Sequence, residues 1–187
     1  MTAARRLYTI GHSTRTIEEF VGMLREADVT RIADVRFFPG SRRHPQFGSD
    51  PLAQSLALHG IDYQHLRALG GRRRQLHDEG RSRNALWRVE AFRNYADYAE
   101  TEEFRAALAR LERVAGERAT AIMCAEAVWW RCHRRLVTDY LLARGWEVTH
   151  LMAPGQQQAG VLTPGAVVHG DGTIEYPAAE GQASLPM

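Results

Sequence analysis

The chain has 187 residues, 44% of them hydrophobic, and a formal net charge of +2. This length and composition predict one globular domain with its own core, and the small net charge by itself indicates no particular partner. The apolar runs are far shorter than the roughly 18 residues that cross a bilayer, and the first residues lack the apolar region of a signal peptide, so we expect a cytoplasmic protein without membrane contact.

The first half of the chain alternates apolar segments with amphipathic ones. A capping box at Thr16 and Glu19 predicts the start of the first helix, and Asp50-Pro51 predicts the start of the second. A long basic loop, 67–86, follows the third strand, and its Gly70-Gly71 pair suits a close backbone approach. In chain order we predict a strand at 6–11, a helix at 16–27, a strand at 31–35, a helix at 50–60 and a strand at 61–66.

The second half begins with two helices and then reaches a short apolar segment. This segment predicts a buried strand, and it ends abruptly at the polar residues Cys124 and Glu126. In chain order we predict helices at 87–98 and 101–116, a strand at 119–123, a helix from about 130 to 145, a strand at 146–151, a loop at 152–164 and a hairpin of 166–169 with 173–176.

Strands that alternate with helices predict an α/β fold. We expect a single three-layer domain over residues 1–176, with a mostly parallel sheet of about five strands, helices on both faces and a C-terminal hairpin. Residues 177–187 are predicted to be a disordered tail.

Basic residues are concentrated in three segments that follow predicted strands, 36–44, 67–83 and 131–135. The chain contains no lysine. Each segment therefore presents arginine, which binds carboxylates and phosphates through paired hydrogen bonds. A solvated surface explains any one such segment, but three at the ends of strands favour an anion-binding edge.

The carboxyl ends of parallel strands share one edge of a sheet, so polar residues that follow different strands are expected to converge there. The candidate catalytic residues are His12, Ser13, Asp34, Cys124, Glu126 and His133. The candidate substrate-binding residues are Arg36, Arg42, Trp129, Trp130, Arg131, Cys132 and Arg134.

Each candidate also has a structural explanation. Asp34 and Glu126 could be an acid–base pair for hydrolysis. Alternatively, Asp34 pairs with a nearby arginine, and Glu126 caps the next helix. Cys124 is either a small buried residue or a nucleophile activated by a neighbouring cation. Ser13 is a cap, an anion ligand or a nucleophile, although no G-x-S-x-G motif surrounds it.

The tryptophan pair Trp129-Trp130 is either part of the core or a stacking platform for a base. The spacing of Cys124 and Cys132 fits no common zinc pattern, and neither G-x-G-x-x-G nor a P-loop is present where a nucleotide cofactor would need it. We therefore expect no metal and no cofactor.

Several motifs together resemble one bacterial family. They are TIGHSTR at 9–15, Asp34-Val-Arg36 with Ser41-Arg42, Leu69-Gly-Gly71, and Cys124-Ala-Glu126 with Cys132-His-Arg134. The set, spread over residues 7–151, is similar to the domain of unknown function 488 family. The resemblance implies a compact α/β domain in which these residues occupy signature positions. Val128-Trp129-Trp130 departs from the proline expected after Glu126, and the resemblance assigns no reaction.

Three functions remain open from the sequence. The first is an enzyme that acts on nucleic acid or a nucleotide, in DNA repair or modified-base hydrolysis, with glycosylase-like chemistry by Asp34 and Glu126. The second is a thiol-dependent enzyme on a small anionic metabolite, with Cys124 as nucleophile and His133 as base. The third is a non-catalytic anion-binding module.

Overall fold

In the computed structural model, which describes residues 5–78 and 80–178, the chain forms a six-stranded sheet in the order β3-β2-β4-β1-β5-β6. The first five strands are parallel, as the alternation of strands and helices predicted. The strands are β1 (Arg6–Gly11), β2 (Arg31–Asp34), β3 (Asp62–His65), β4 (Thr120–Cys124), β5 (Glu147–Ala153) and β6 (Gln156–Ala159).

Helices cover both faces of the sheet, which confirms the predicted three layers. Phe20 and Leu52, from the first two helices, pack on one face with Ile32, whereas Phe104 and Leu136 pack on the other with Ile122. Central strands β2 and β4 are buried throughout because both of their faces are covered. The helices are α1 (Ile17–Glu26), α2 (Ser49–Ala57), α3 (Glu90–Ala99), α4 (Glu102–Glu117) and α5 (Arg134–Ala143).

Local signals placed the helix starts well where a cap is present. The Thr16 hydroxyl accepts a hydrogen bond from the Glu19 amide at 3.1 Å, and Thr101 caps α4 through the amide of Phe104. Helix α5 begins at Arg134, later than predicted, and no side chain caps it. Glu126 therefore does not have the capping role that was one explanation of its position.

The antiparallel edge strand β6 corrects the prediction that residues 152–164 form a loop. It consists of three glutamines and an alanine, all exposed, so it carries no hydrophobic alternation for sequence reasoning to detect. Gly155, at φ 67°, makes the tight turn that folds β6 back onto β5. The strand exists because β5 offers a free edge for hydrogen bonding, which is a tertiary property.

The predicted C-terminal hairpin is present as β7 (Val167–Val168) and β8 (Ile174–Glu175). Tyr176, which is buried, donates from its hydroxyl to Asp139 at 2.9 Å and fastens this end of the chain to α5. Of the tail predicted to be disordered, residues 179–187 lie outside the described part of the chain. Within residues 5–78 and 80–178, no helix has the length and apolar character that a bilayer crossing requires.

Candidate functional site

An open cleft of about 1000 Å³ lies at the carboxyl edge of the parallel strands. Its walls come from the segments that follow β1, β2 and β4, together with the start of α5 and one side of α3. The predicted site residues that line it are His12, Ser13, Arg36, Arg42, Cys124, Glu126, Arg131, Cys132 and His133. Asp34, Trp129, Trp130 and Arg134 were also predicted, and they lie outside the lining.

The segments after β1 and β4 form one continuous rim. The amide of His12 donates to the carbonyl of Cys124 at 3.0 Å, and the amide of Ser13 donates to that of Ala125 at 2.9 Å. This contact requires glycine at position 11, because a Cβ there would lie 1.8 Å from the carbonyl oxygen of Glu126. Gly11 therefore determines how closely Glu126 approaches His12 and Ser13.

Replacing Gly11 with alanine is expected to displace the Glu126 segment, since backbone cannot yield as a flexible side chain does. Overpacking of this kind costs roughly 1–3 kcal/mol in the free energy of unfolding, measured by urea denaturation. Gly22→Ala is the matched control: its added methyl meets no atom within 4 Å inside α1, and it should stabilise the protein by about 0.5–1 kcal/mol. Equal stability of Gly11→Ala and the wild type would contradict this account of the rim.

Asp34 is fully buried beneath the cleft and does not face it. Its carboxylate accepts hydrogen bonds from the Arg36 guanidinium, the shortest at 2.6 Å, from the Arg36 amide at 3.0 Å and from the Tyr63 hydroxyl at 2.7 Å. Burial opposes the Arg36 charge, but the bonds to Asp34 outweigh it and raise the pKa of Arg36 above its ordinary value. This geometry gives no support to the pairing of Asp34 with Glu126 as acid and base. It agrees instead with the other explanation, that Asp34 pairs with a nearby arginine, and Asp34 holds Arg36 in position.

His12 lies in the rim as a neutral imidazole. Its Nδ1–H donates to the Ser13 carbonyl at 3.0 Å, because a carbonyl can only accept, and this leaves Nε2 as the acceptor that faces Arg36 at 3.4 Å. Burial and the nearby Arg36 charge lower the pKa of His12 to about 4. The hydrogen bond to Ser13 favours the charged form and acts in the opposite direction, but its effect is smaller. Stacking on Phe47, 4.4 Å between ring centroids, fixes the ring. His12 therefore offers an unprotonated nitrogen at neutral pH.

Two histidines hold the chain where it leaves β2. His133 Nε2–H donates to the carbonyl of Val35, and His65 Nε2–H donates to that of Arg36, each at 2.8 Å. Burial lowers the pKa of His133, and its ring packs 5.3 Å from that of Tyr95. The neutral ring keeps Nδ1 as an acceptor, but within residues 5–78 and 80–178 no hydrogen bond joins His133 to Cys124, so this geometry gives no support to the role of base that the sequence suggested.

The predicted close approach at the glycine pair is confirmed at Gly70. A Cβ there would lie 2.7 Å from the Cα of Phe37, so the basic loop 67–86 packs directly on the segment that follows β2. The Tyr95 hydroxyl donates to the carbonyl of Leu69 at 2.6 Å and secures the loop to α3. This packing presents Arg72 to the cleft.

The two cysteines meet at the floor of the cleft. Their sulfurs lie 3.2 Å apart, and both residues are buried as free thiols. Arg134, itself buried, donates from Nε to the Cys132 sulfur at 3.1 Å. Burial raises the pKa of Cys124 well above its ordinary value, whereas the hydrogen bonds from Cys124 and Arg134 overcome burial and hold the pKa of Cys132 well below its own. Of the two, Cys132 is thus the residue whose surroundings favour the thiolate, with Cys124 beside it as a possible hydrogen-bond donor.

Neither tryptophan is a stacking platform in the cleft. Trp129 is buried, stacks on His150 at 4.3 Å between centroids and donates from its indole nitrogen to Gln158 of β6 at 3.1 Å. Trp130 is 41% exposed but lies outside the cleft. Trp129 therefore fastens the segment after β4 to the edge of the sheet, which corrects its assignment to substrate binding.

The aromatic faces that do line the cleft were missed by sequence reasoning. They are Phe37 and Phe38, directly after Arg36, with Phe92 and Tyr95 from α3. For Phe37 and Phe38 the sequence did carry a signal, because both follow a predicted strand end and lie in a basic segment. The α3 residues carried none, because their contact with the cleft depends on how the long loop packs. Other lining residues not singled out are Thr14, Gly40, Ser41, Arg43, His44, Gly71, Arg72, Ala91 and Ala125.

The charge of the cleft is strongly unbalanced. Glu126 is the only carboxylate among its described lining residues, against Arg36, Arg42, Arg43, Arg72 and Arg131. Within residues 5–78 and 80–178, no carboxylate forms an ion pair with Arg42, Arg43 or Arg131. Three guanidinium groups are thus available to an anionic ligand. In the described part of the chain, no cluster of three or more His, Cys, Asp or Glu side chains is suited to a metal ion.

Comparison with known proteins gives one match. Residues 16–141, more than half of the chain, match the model of a family described as Domain of unknown function DUF488. No curated protein and no solved structure matches the chain.

Proposed function

The chain belongs to the DUF488 family, as its motifs predicted, and since that family's description states no reaction, we propose a function from the site itself. The protein is an enzyme that hydrolyses the bond between base and sugar in a nucleic acid or nucleotide. The observation that carries the proposal is an arginine-lined cleft whose described lining includes one carboxylate, Glu126.

Phosphate recognition is the first part of the proposal. Arg42, Arg43 and Arg131 lack ion-pair partners in the described chain and present planar, doubly donating groups, which suit phosphate oxygens better than ammonium groups do. Arg36 is instead committed to Asp34 through its Nε and Nη2. Its charge is compensated by that carboxylate, so it is not assigned to phosphate binding.

Base recognition is assigned to the aromatic side chains. Phe38 is 60% exposed, which is uncommon for so large an apolar residue in a polar segment. It packs edge-on against Phe37, at 4.7 Å between centroids, and Arg67 lies over the Phe37 ring. Aromatic faces beside arginines are the arrangement by which proteins stack unpaired bases. In this proposal the base stacks on these rings and its sugar reaches Glu126, which lines the same cleft.

Glu126 supplies the chemistry in this proposal. Its carboxylate takes a proton from a water molecule that attacks the sugar carbon, the carbon–nitrogen bond breaks, and the base leaves with a proton from solvent. The backbone of Glu126 is held in place separately, since its carbonyl accepts a hydrogen bond from Arg134 at 2.5 Å. The side chain of Glu126 is exposed, while the segment that carries it is held in place.

Binding of the protein to single-stranded DNA is expected to weaken steeply with salt. Each phosphate contact contributes about −0.7 to the slope of log affinity against log salt on single strands, measured by fluorescence anisotropy. Arg131→Gln should make this slope shallower by about that amount. Arg110→Gln, on the exposed surface of α4, removes the same charge outside the cleft and should leave the slope unchanged. A slope near zero for the wild type would overturn the assignment of nucleic acid as ligand.

A further inference from the structure

The only two cysteines of the chain are placed side by side at the floor of the cleft, although eight positions separate them in the sequence. We propose that Cys132 and Cys124 form a redox site, in which Cys132 attacks a small anionic disulfide that enters the cleft and Cys124 then completes an intramolecular disulfide. This site does not depend on the proposed hydrolysis. Glu126 and the Phe37–Phe38 pair have no part in it.

The distance between the sulfurs is the first support. At 3.2 Å they are already in contact, and a disulfide bond is about 2.05 Å long. Closing the bond thus requires a movement of roughly 1 Å. Cys124 ends β4, and Cys132 lies in the segment just before α5, which has less regular structure to resist that movement.

The environment of Cys132 is the second support. Its sulfur accepts hydrogen bonds from Nε of Arg134 at 3.1 Å and from the Arg134 amide, the first of α5, at 3.4 Å. A guanidinium and the start of a helix both favour the thiolate, which is the nucleophilic form of cysteine. Arg134 is 1% exposed, so its charge acts on the sulfur without much screening by solvent.

Exposure to the cleft decides which of the two cysteines reacts first with the incoming disulfide. Both line the cleft, and Cys132 is 7% exposed whereas Cys124 is 2% exposed. The incoming disulfide therefore meets Cys132 first. Arg42 and Arg131, which line the same cleft and form no ion pair within residues 5–78 and 80–178, favour a disulfide that carries carboxylates over an uncharged one.

The reaction balances as two thiol–disulfide exchanges. The Cys132 thiolate attacks one sulfur of the small disulfide; that sulfur binds Cys132, the original sulfur–sulfur bond breaks, and the first thiolate leaves. The Cys124 sulfur, losing its proton to a departing thiolate, then attacks the Cys132 sulfur, and the second thiolate leaves. The protein loses two electrons and the small disulfide gains them.

The test uses the intact protein and glutathione disulfide as the probe. Free thiols are alkylated after incubation, and the products are mapped by mass spectrometry; because the chain has only two cysteines, any intramolecular link is between Cys124 and Cys132. We expect both thiols of the wild type to disappear without a retained glutathione and to return on reduction. Cys124→Ser should retain glutathione on Cys132, whereas Cys132→Ser should stay unmodified under the same conditions.

An uncharged probe separates recognition from simple reactivity. Hydroxyethyl disulfide lacks carboxylates and should oxidise the wild type at least about tenfold more slowly than glutathione disulfide at low salt, which corresponds to about 1.4 kcal/mol. Thermal unfolding of both serine variants establishes that they are folded. Two unreacted thiols in the wild type, a disulfide between two copies of the chain, or glutathione retained on Cys124 in Cys132→Ser would each overturn the proposal.

Discussion

Replacing Glu126 with glutamine is expected to lower the rate of base–sugar hydrolysis by about 10²–10⁴-fold, the range typical of a positioned general acid or base. Glutamine keeps the shape of the side chain but cannot take up a proton from water. The segment should stay in place, because it is the backbone carbonyl of Glu126, not its carboxylate, that accepts from Arg134. The measurement is single-turnover release of free base from DNA or a nucleoside monophosphate, with affinity measured in parallel.

Affinity is the internal control for this variant. Removing the only carboxylate among the described lining residues should leave phosphate binding unchanged or somewhat stronger, since a like charge is lost. Glu18→Gln, on the exposed surface of α1, is the matched control and should have the wild-type rate. If the wild type binds the ligand but releases no base, or if Glu126→Gln is fully active, the protein is a binding module or uses another group.

Asp34→Ala is expected to destabilise the fold by about 3–5 kcal/mol, the cost of leaving one member of a buried ion pair without its partner. Asp34 is fully buried and compensates Arg36, which is itself only 6% exposed. The same change leaves the hydroxyl of Tyr63 without its acceptor. The measurement is the urea midpoint and slope at neutral pH.

Two further variants isolate the buried charge. Asp34→Ala combined with Arg36→Met removes both charges and should recover part of the lost stability, since an apolar pair of similar volume often replaces a buried ion pair at little cost. Glu147→Ala breaks the pair with Arg6, whose members are 67% and 63% exposed, and should cost less than about 1 kcal/mol. A loss below about 1 kcal/mol for Asp34→Ala would show that Arg36 does not depend on this carboxylate.

Much of the fold was accessible from the sequence because the signals are local. The segment that becomes β4 is buried on both faces, and the predominance of apolar residues in it predicted this. The capping box at Thr16 and Glu19 predicted a helix start that the structure confirms, and the helix predicted from residue 101 begins there, with Thr101 as its cap. Strand β6 was missed because its pairing with β5, not its own composition, makes it a strand.

The candidate site was only partly accessible. Parallel strands bring their carboxyl ends to one edge, so the grouping of His12, Cys124 and Glu126 in one cleft followed from topology. Which side chains face the cleft did not follow. Asp34 and Arg36 are two residues apart, yet Asp34 points into the protein and Arg36 lines the cleft, because Tyr63 on the neighbouring strand completes a buried site for the carboxylate.

The pair Cys124 and Cys132 also shows what the sequence determines and what only the tertiary structure decides. The sequence by itself determined that an apolar strand ends at Cys124 and that a basic helix follows it, because periodicity and polarity are properties of consecutive residues, although it placed the start of that helix near residue 130 rather than at Arg134. Only the tertiary structure decided that the two sulfurs touch and that Arg134 turns inward to Cys132 rather than outward to a substrate. Side-chain direction at a strand end depends on which neighbours supply hydrogen bonds and exclude water, and those neighbours come from distant parts of the chain.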